Sequence, residues 1–130
     1  MKALSIMLLA TLLMSCDAKV VDKPAQILAL GAVNNGALLI DVRSIEEVKE
    51  GSLEQALHIP HDQIVAQLDA LGVDKADPIV LFCRSGNRSG LAQAALLNAG
   101  FSAVINGGGY EDLKALRSTM TVEPPSQSDS

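Results

Sequence analysis

Tryptophan is absent, and one tyrosine and two phenylalanines are the only aromatic residues among 130. The core must therefore be built from Leu, Ile, Val and Ala, which dominate an apolar content of 48%. Positive charge is also scarce, with 10 Lys and Arg against 15 Asp and Glu, a formal net charge of −5. An acidic surface argues against nucleic acid or an anionic membrane surface as the main partner. Any anion site must be made locally, from a few basic groups and backbone N–H donors. Cysteine occurs twice, at Cys16 and Cys83, with no Cys-x-x-Cys pair, which argues against a thiol–disulfide oxidoreductase. Two histidines, His58 and His61, have no further ligands nearby, so no metal is assigned. The run Gly107-Gly108-Gly109 lacks the P-loop lysine and the dinucleotide-binding spacing, and reads as a turn that lets a last helix approach the site. No internal repeat is present.

No apolar run is long enough for a stable membrane span. Residues 3–14 are apolar except for Ser5 and Thr11, whereas crossing a bilayer takes roughly 20 residues. Behind Lys2 they suit the apolar region of a signal peptide. The segment ends in Leu13-Met14-Ser15-Cys16, which resembles a bacterial lipobox, in which the cysteine becomes the lipidated first residue. Residues 1–15 are expected to be a cleaved leader. The protein is then exported to the periplasm, with membrane attachment through lipidated Cys16, and Cys83 is left as the one free thiol. The other reading is ordinary cleavage nearby. A disulfide between a mobile leader and Cys83 is the weaker interpretation.

About 100 residues remain, enough for one compact domain, expected over residues 20–118 and as a monomer. Asp22 caps a helix with Pro24 in its first turn, closed by Asn34-Asn35-Gly36. Residues 37–42 read as a buried strand, and Ser44 with Glu47 forms a capping-box pattern before a short helix that Gly51 ends. Residues 56–59 are a brief extended piece, and residues 61–71 are helical. Pro78 introduces Ile79-Val80-Leu81-Phe82, the expected central strand. Residues 88–98 form a helix, residues 103–105 a strand, and a last helix runs from about Tyr110 to Arg117. Residues 119–130 are rich in Pro and Ser and are expected to be disordered. Strands alternating with helices imply an α/β fold, a mostly parallel central sheet with helices on both faces.

In such sheets, sites form where loops leave the carboxyl ends of strands. Cys83 stands at that point, followed by Arg84-Ser85-Gly86-Asn87-Arg88-Ser89. The helix start offers unpaired N–H groups and partial positive charge. Ser85-Gly86-Asn87 can turn successive N–H groups inward as an anion nest. Arg84 and Arg88 add full charges. All of these favour thiolate, the reactive form. A lone cysteine after an apolar strand is more often a buried hydrophobe, but the glycine loop and two arginines outweigh that reading.

The run Cys83-Arg84-Ser85-Gly86-Asn87-Arg88-Ser89 resembles the active-site loop of rhodanese-domain sulfurtransferases. Asp41-Val42-Arg43 with Glu47, Gly51 with Ile59-Pro60, and Gly100-Phe101 with Gly108-Gly109 are similar to other marks of that family, in the family's order. The resemblance runs from about Val20 to Leu116 and implies a small rhodanese-like domain without cofactor. It implies that the Cys83 thiolate takes the outer sulfur of thiosulfate or a similar anion as a persulfide, releasing sulfite. A thiol, or cyanide in assays, then accepts that sulfur. Arg84 is the candidate for the donor anion. Arg88 either does the same or braces an acid such as Asp41, and Arg43 with Glu47 reads as an ion pair ordering the loop. Ser52-Leu53 replaces the family's His-Ile, and Leu113 stands where Trp is common; both read as packing positions.

Two further functions compete. Cysteine phosphatases space their residues Cys-x5-Arg, whereas Cys83 and Arg88 are Cys-x4-Arg, a smaller cradle, and the loop has no acid to protonate a leaving alcohol. The other is a non-catalytic module that carries or senses sulfane sulfur for a protein partner; turnover separates it from an enzyme.

Overall fold

Asp22 accepts a hydrogen bond from the Ala25 N–H at 3.1 Å and opens helix α1, Lys23–Asn34. The computed structural model describes residues 22–120. The expected leader, Cys16 and nearly all of the expected tail lie outside that range. Strand β1, Leu38–Asp41, leads through the Ser44–Glu47 capping box into α2, Ile45–Lys49. Strand β2 is the two-residue Leu57–His58. A 3-10 turn, His61–Gln63, precedes α3, Ile64–Leu71, which Gly72 ends in the left-handed region at φ 71°. Then come β3, Ile79–Cys83, α4, Asn87–Asn98, β4, Val104–Gly109, and α5, Tyr110–Met120. The last helix passes the domain end expected at residue 118.

The four strands are parallel in the order β2-β1-β3-β4, with β3 in the interior. All five β3 residues are buried, so the chain needs an unbroken apolar run there. Alternate residues serve opposite layers. Ile40, Ile79, Leu81 and Cys83 pack against Ile64 and Leu68 of α3 and Ala92 and Leu96 of α4. Leu39, Val80 and Phe82 face Ala29 and Leu30 of α1 and Leu113 of α5. Each fully buried Leu or Ile contributes about 1.5–3 kcal/mol, so aliphatic residues supply most of both layers, with Phe101 in the first and Phe82 in the second.

The expected glycine turn is instead the end of a strand. Gly107, Gly108 and Gly109 continue β4, and Gly109 pairs with Cys83 across an irregularity in the β3 register. A Cβ on Gly107 would lie 3.0 Å from the Leu81 carbonyl oxygen, and one on Gly109 would lie 2.7 Å from the Arg84 carbonyl oxygen. Glycine is required here because β4 runs against the loop that leaves β3.

Candidate functional site

The loop at the carboxyl end of β3 is folded around one sulfur. Gly86 has φ 92°, a left-handed conformation open to glycine at little cost, and it caps α4. That turn sends the Gly86 N–H onto Cys83 Sγ at 3.0 Å. The Ser89 hydroxyl lies 3.5 Å from the same sulfur. Burial pushes the Cys83 thiol up. Hydrogen bonds from the Ser89 hydroxyl and from the N–H groups of Ser89, Ser85 and Gly86 outweigh it and leave the pKa below the ordinary thiol value. Cys83 has no exposed surface, whereas Arg84, Ser85 and Asn87 are exposed. The sulfur is therefore covered, and reaching it requires movement of residues around it.

A residue that sequence reasoning missed holds the loop from behind. Asn106 on β4 donates through Nδ2 to the Gly86 carbonyl at 3.0 Å. Its Oδ1 accepts from the Gly108 N–H at 3.0 Å and from the Ser89 hydroxyl at 2.7 Å. These partners set the amide orientation, so Oδ1 can only accept. Ser89 has one proton and two acceptors, Asn106 Oδ1 and Cys83 Sγ. The shorter contact favours Asn106 while the sulfur is a thiol; ionisation of the sulfur draws the proton toward it. The sequence signal was a lone amide between an apolar strand and three glycines.

The expected ion pairs exchange partners. Arg43 pairs with Asp41 rather than Glu47: Nε lies 2.9 Å from Oδ1 and Nη2 lies 2.7 Å from Oδ2, and both side chains are buried. Two residues apart at the end of β1, the two fold onto each other, and Arg43 also donates to the Gly51 carbonyl at 2.7 Å. Glu47 takes Arg88 in a two-pronged pair at 2.6 and 2.9 Å. The Arg88 guanidinium lowers the Glu47 pKa to about 2, helped by Ser44 and opposed by burial. Arg88 thus braces α4 to α2, and its acid is Glu47, not Asp41. Its own pKa is raised chiefly by Glu47, with a smaller contribution from the charge on Cys83. Ser52 is no simple packing residue either, since its hydroxyl donates to Asp41 Oδ2 at 2.7 Å. Leu53 and Leu113 are buried in the core, as packing positions should be. The His58 ring donates from Nε2 to the Arg43 carbonyl at 2.7 Å.

A cleft of about 330 Å³ opens beside the loop, lined by Arg43, Glu47, Glu50, Gly51, Arg84, Tyr110 and Glu111. Tyr110 forms part of the wall, with the Arg43 guanidinium 4.3 Å from its ring centroid and Phe82 stacked behind it at 6.2 Å. Of the sequence-chosen residues, Cys83, Ser85, Gly86 and Ser89 surround the sulfur. Arg84 faces the cleft, and Asn87 is the exposed first residue of α4.

The model of the Rhodanese-like domain family matches residues 25–116. Thiosulfate sulfurtransferase PspE of Escherichia coli K12 is 31% identical over 74 residues, which cover 57% of this chain and 71% of that protein. The putative sulfur carrier protein YrkF of Bacillus subtilis is 34% identical over 68 residues, covering 52% of this chain and 36% of that longer protein. A solved structure, rhodanese with anions from E. coli, superposes with a TM-score of 0.56 at 30% identity, covering 59% of this chain and 91% of the other. These relatives support sulfur transfer as the general activity. With a matching stretch that spans the sheet, the Cys83 loop and most of α5, the chain belongs to the rhodanese-like domain family.

Proposed function

We propose that this domain is a thiosulfate sulfurtransferase working through a persulfide on Cys83. The Cys83 thiolate attacks the outer sulfur of thiosulfate; the new S–S bond forms as the bond to the sulfonate sulfur breaks, and sulfite leaves with the electron pair. Cyanide or a thiolate then bonds to the outer sulfur, and Cys83 recovers its thiolate. The observation that carries this reading is the N–H and hydroxyl cradle on Cys83 Sγ, led by Gly86 at 3.0 Å. It stabilises an anion on sulfur both before and after the transfer. Arg84 is the cation left to meet the donor, because Arg43 and Arg88 are committed to Asp41 and Glu47. The relative named thiosulfate sulfurtransferase and the anions in the E. coli rhodanese structure support the donor class.

A carrier module is the second reading, supported by the relative named as a putative sulfur carrier and by the absence of exposed Cys83 surface. Steady formation of thiocyanate from thiosulfate and cyanide decides between them: the enzyme reading predicts turnover that Cys83→Ser abolishes. Turnover that survives the substitution overturns it, and a bound persulfide without turnover makes the domain a carrier. The reading also places a monomer in the periplasm, tethered through lipidated Cys16, because residues 1–16 carry a leader and lipobox pattern. Cys16→Ala should move the protein from the membrane fraction to the soluble one, and unchanged fractionation counts against lipidation.

A further inference from the structure

The charges around the cleft suit an acceptor that carries both signs better than one that is simply anionic. Three elements form its walls: the end of α2 with Glu47, Glu50 and Gly51, the loop residue Arg84, and the start of α5 with Tyr110 and Glu111. Two of its charges are already neutralised, Arg43 by Asp41 and Glu47 by Arg88. Arg84, Glu50 and Glu111 remain, all exposed and without a side-chain hydrogen bond or ion pair among the described residues. The cleft thus offers one uncommitted cation and two uncommitted carboxylates, beside the residue that follows the nucleophile. A dianion such as thiosulfate meets Arg84 favourably but is repelled by both carboxylates. A molecule carrying an ammonium and a carboxylate satisfies both signs.

The geometry points to a small zwitterionic thiol, one bearing an α-ammonium and an α-carboxylate, as the sulfur acceptor taken in this cleft. The inference rests on the persulfide reading above and names the acceptor class for that site. The carboxylate pairs with Arg84, the ammonium with Glu50 and Glu111, and the thiolate reaches the outer sulfur of the Cys83 persulfide. That sulfur bonds to the acceptor sulfur as its bond to Cys83 Sγ breaks. The electron pair stays on Cys83 as thiolate, and the acceptor leaves as a persulfide anion without net oxidation. Tyr110 is held by Arg43 and Phe82 as a rigid apolar wall for the acceptor's short carbon chain.

Three acceptor thiols test the inference with thiosulfate as donor: cysteine, 3-mercaptopropionate, which lacks the ammonium, and cysteamine, which lacks the carboxylate. The readout is the ratio of kcat/KM values in the wild-type protein and in Glu50→Gln/Glu111→Gln, so intrinsic differences in thiol reactivity cancel. The double variant should lose cysteine over 3-mercaptopropionate preference by about fivefold, the scale of partly exposed ion contacts. Its KM for thiosulfate should fall. Arg84→Gln should instead erode the preference for cysteine over cysteamine. A ratio that does not move in either variant overturns the zwitterion inference while leaving sulfur transfer intact. Failure of the wild type to form thiocyanate from thiosulfate and cyanide overturns both readings.

Discussion

At the scale of single residues, the chemistry turns on where protons and N–H groups sit around Cys83. A thiol held below its ordinary pKa carries more thiolate at neutral pH than a free one, so the rate should rise through a midpoint below that of an unperturbed thiol and then level off. Ser89→Ala removes the one side-chain donor on the sulfur among the described residues. The midpoint should move up, and turnover near neutrality should drop by about tenfold, since a hydrogen bond to a charged group contributes about 1.5–3 kcal/mol. A pH–rate profile of both proteins checks this. An unmoved midpoint would mean that the Ser89 proton stays on Asn106. Asn106→Ala should have a mixed effect, because it leaves the Gly108 N–H without its side-chain acceptor, removes one of two donors to the Gly86 carbonyl, which keeps the Gly90 N–H, and frees the Ser89 hydroxyl for the sulfur. A stability loss of about 1–3 kcal/mol is expected by denaturant titration, together with an altered pH midpoint.

At the scale of elements, the site depends on contacts between pieces distant in sequence. Glu47 on α2 and Arg88 on α4 are 41 residues apart and tie two helices together. The folded-state pKa of Glu47, about 2, lies below its unfolded value. The pair's stabilisation is therefore fully present above the ordinary glutamate pKa and is lost as pH falls toward about 2. Glu47→Gln should lower stability at neutral pH by about 1–3 kcal/mol and flatten the acid limb of the stability curve; urea titrations from neutral to acid pH measure both. Gly109→Ala should be costly without any change of charge, since its Cβ would press within 2.7 Å of the Arg84 carbonyl oxygen. Overpacking of this kind costs about 1–3 kcal/mol, and the displaced loop should lower turnover as well.

These elements also mark where the sequence was readable. Helix starts at Asp22 and Ser44 were legible because capping is local chemistry. The buried run of β3 was legible because a strand covered on both faces carries little polarity. Cys83 was legible because its loop signals sit within seven residues of it. The ion pairing was not: Asp41, Arg43, Glu47 and Arg88 offer several charge-balanced pairings, and only the tertiary placement of Glu47 beside Arg88 selects one. Asn106 and the extension of β4 were hidden for a related reason. Three glycines suggest a turn by local preference, whereas close approach to Leu81 and Arg84 is a tertiary demand.

At the scale of the whole molecule, an acidic chain with few aromatic residues places a thiolate cradle at the carboxyl end of a four-stranded parallel sheet. Two aliphatic layers hold that sheet, so the site loop rests on rigid β3 and β4 while its outer residues stay exposed. A net charge of −5 would repel an anionic donor at long range, and added salt should therefore improve the apparent KM for thiosulfate slightly. The most direct measurement of the central claim is intact mass after thiosulfate alone, followed by a cyanide chase. The account predicts that the wild-type protein gains the mass of one sulfur atom and returns to its starting mass with one equivalent of thiocyanate, while Cys83→Ser does neither. A gain of sulfur by the Cys83→Ser protein, or no gain by the wild type, would contradict it.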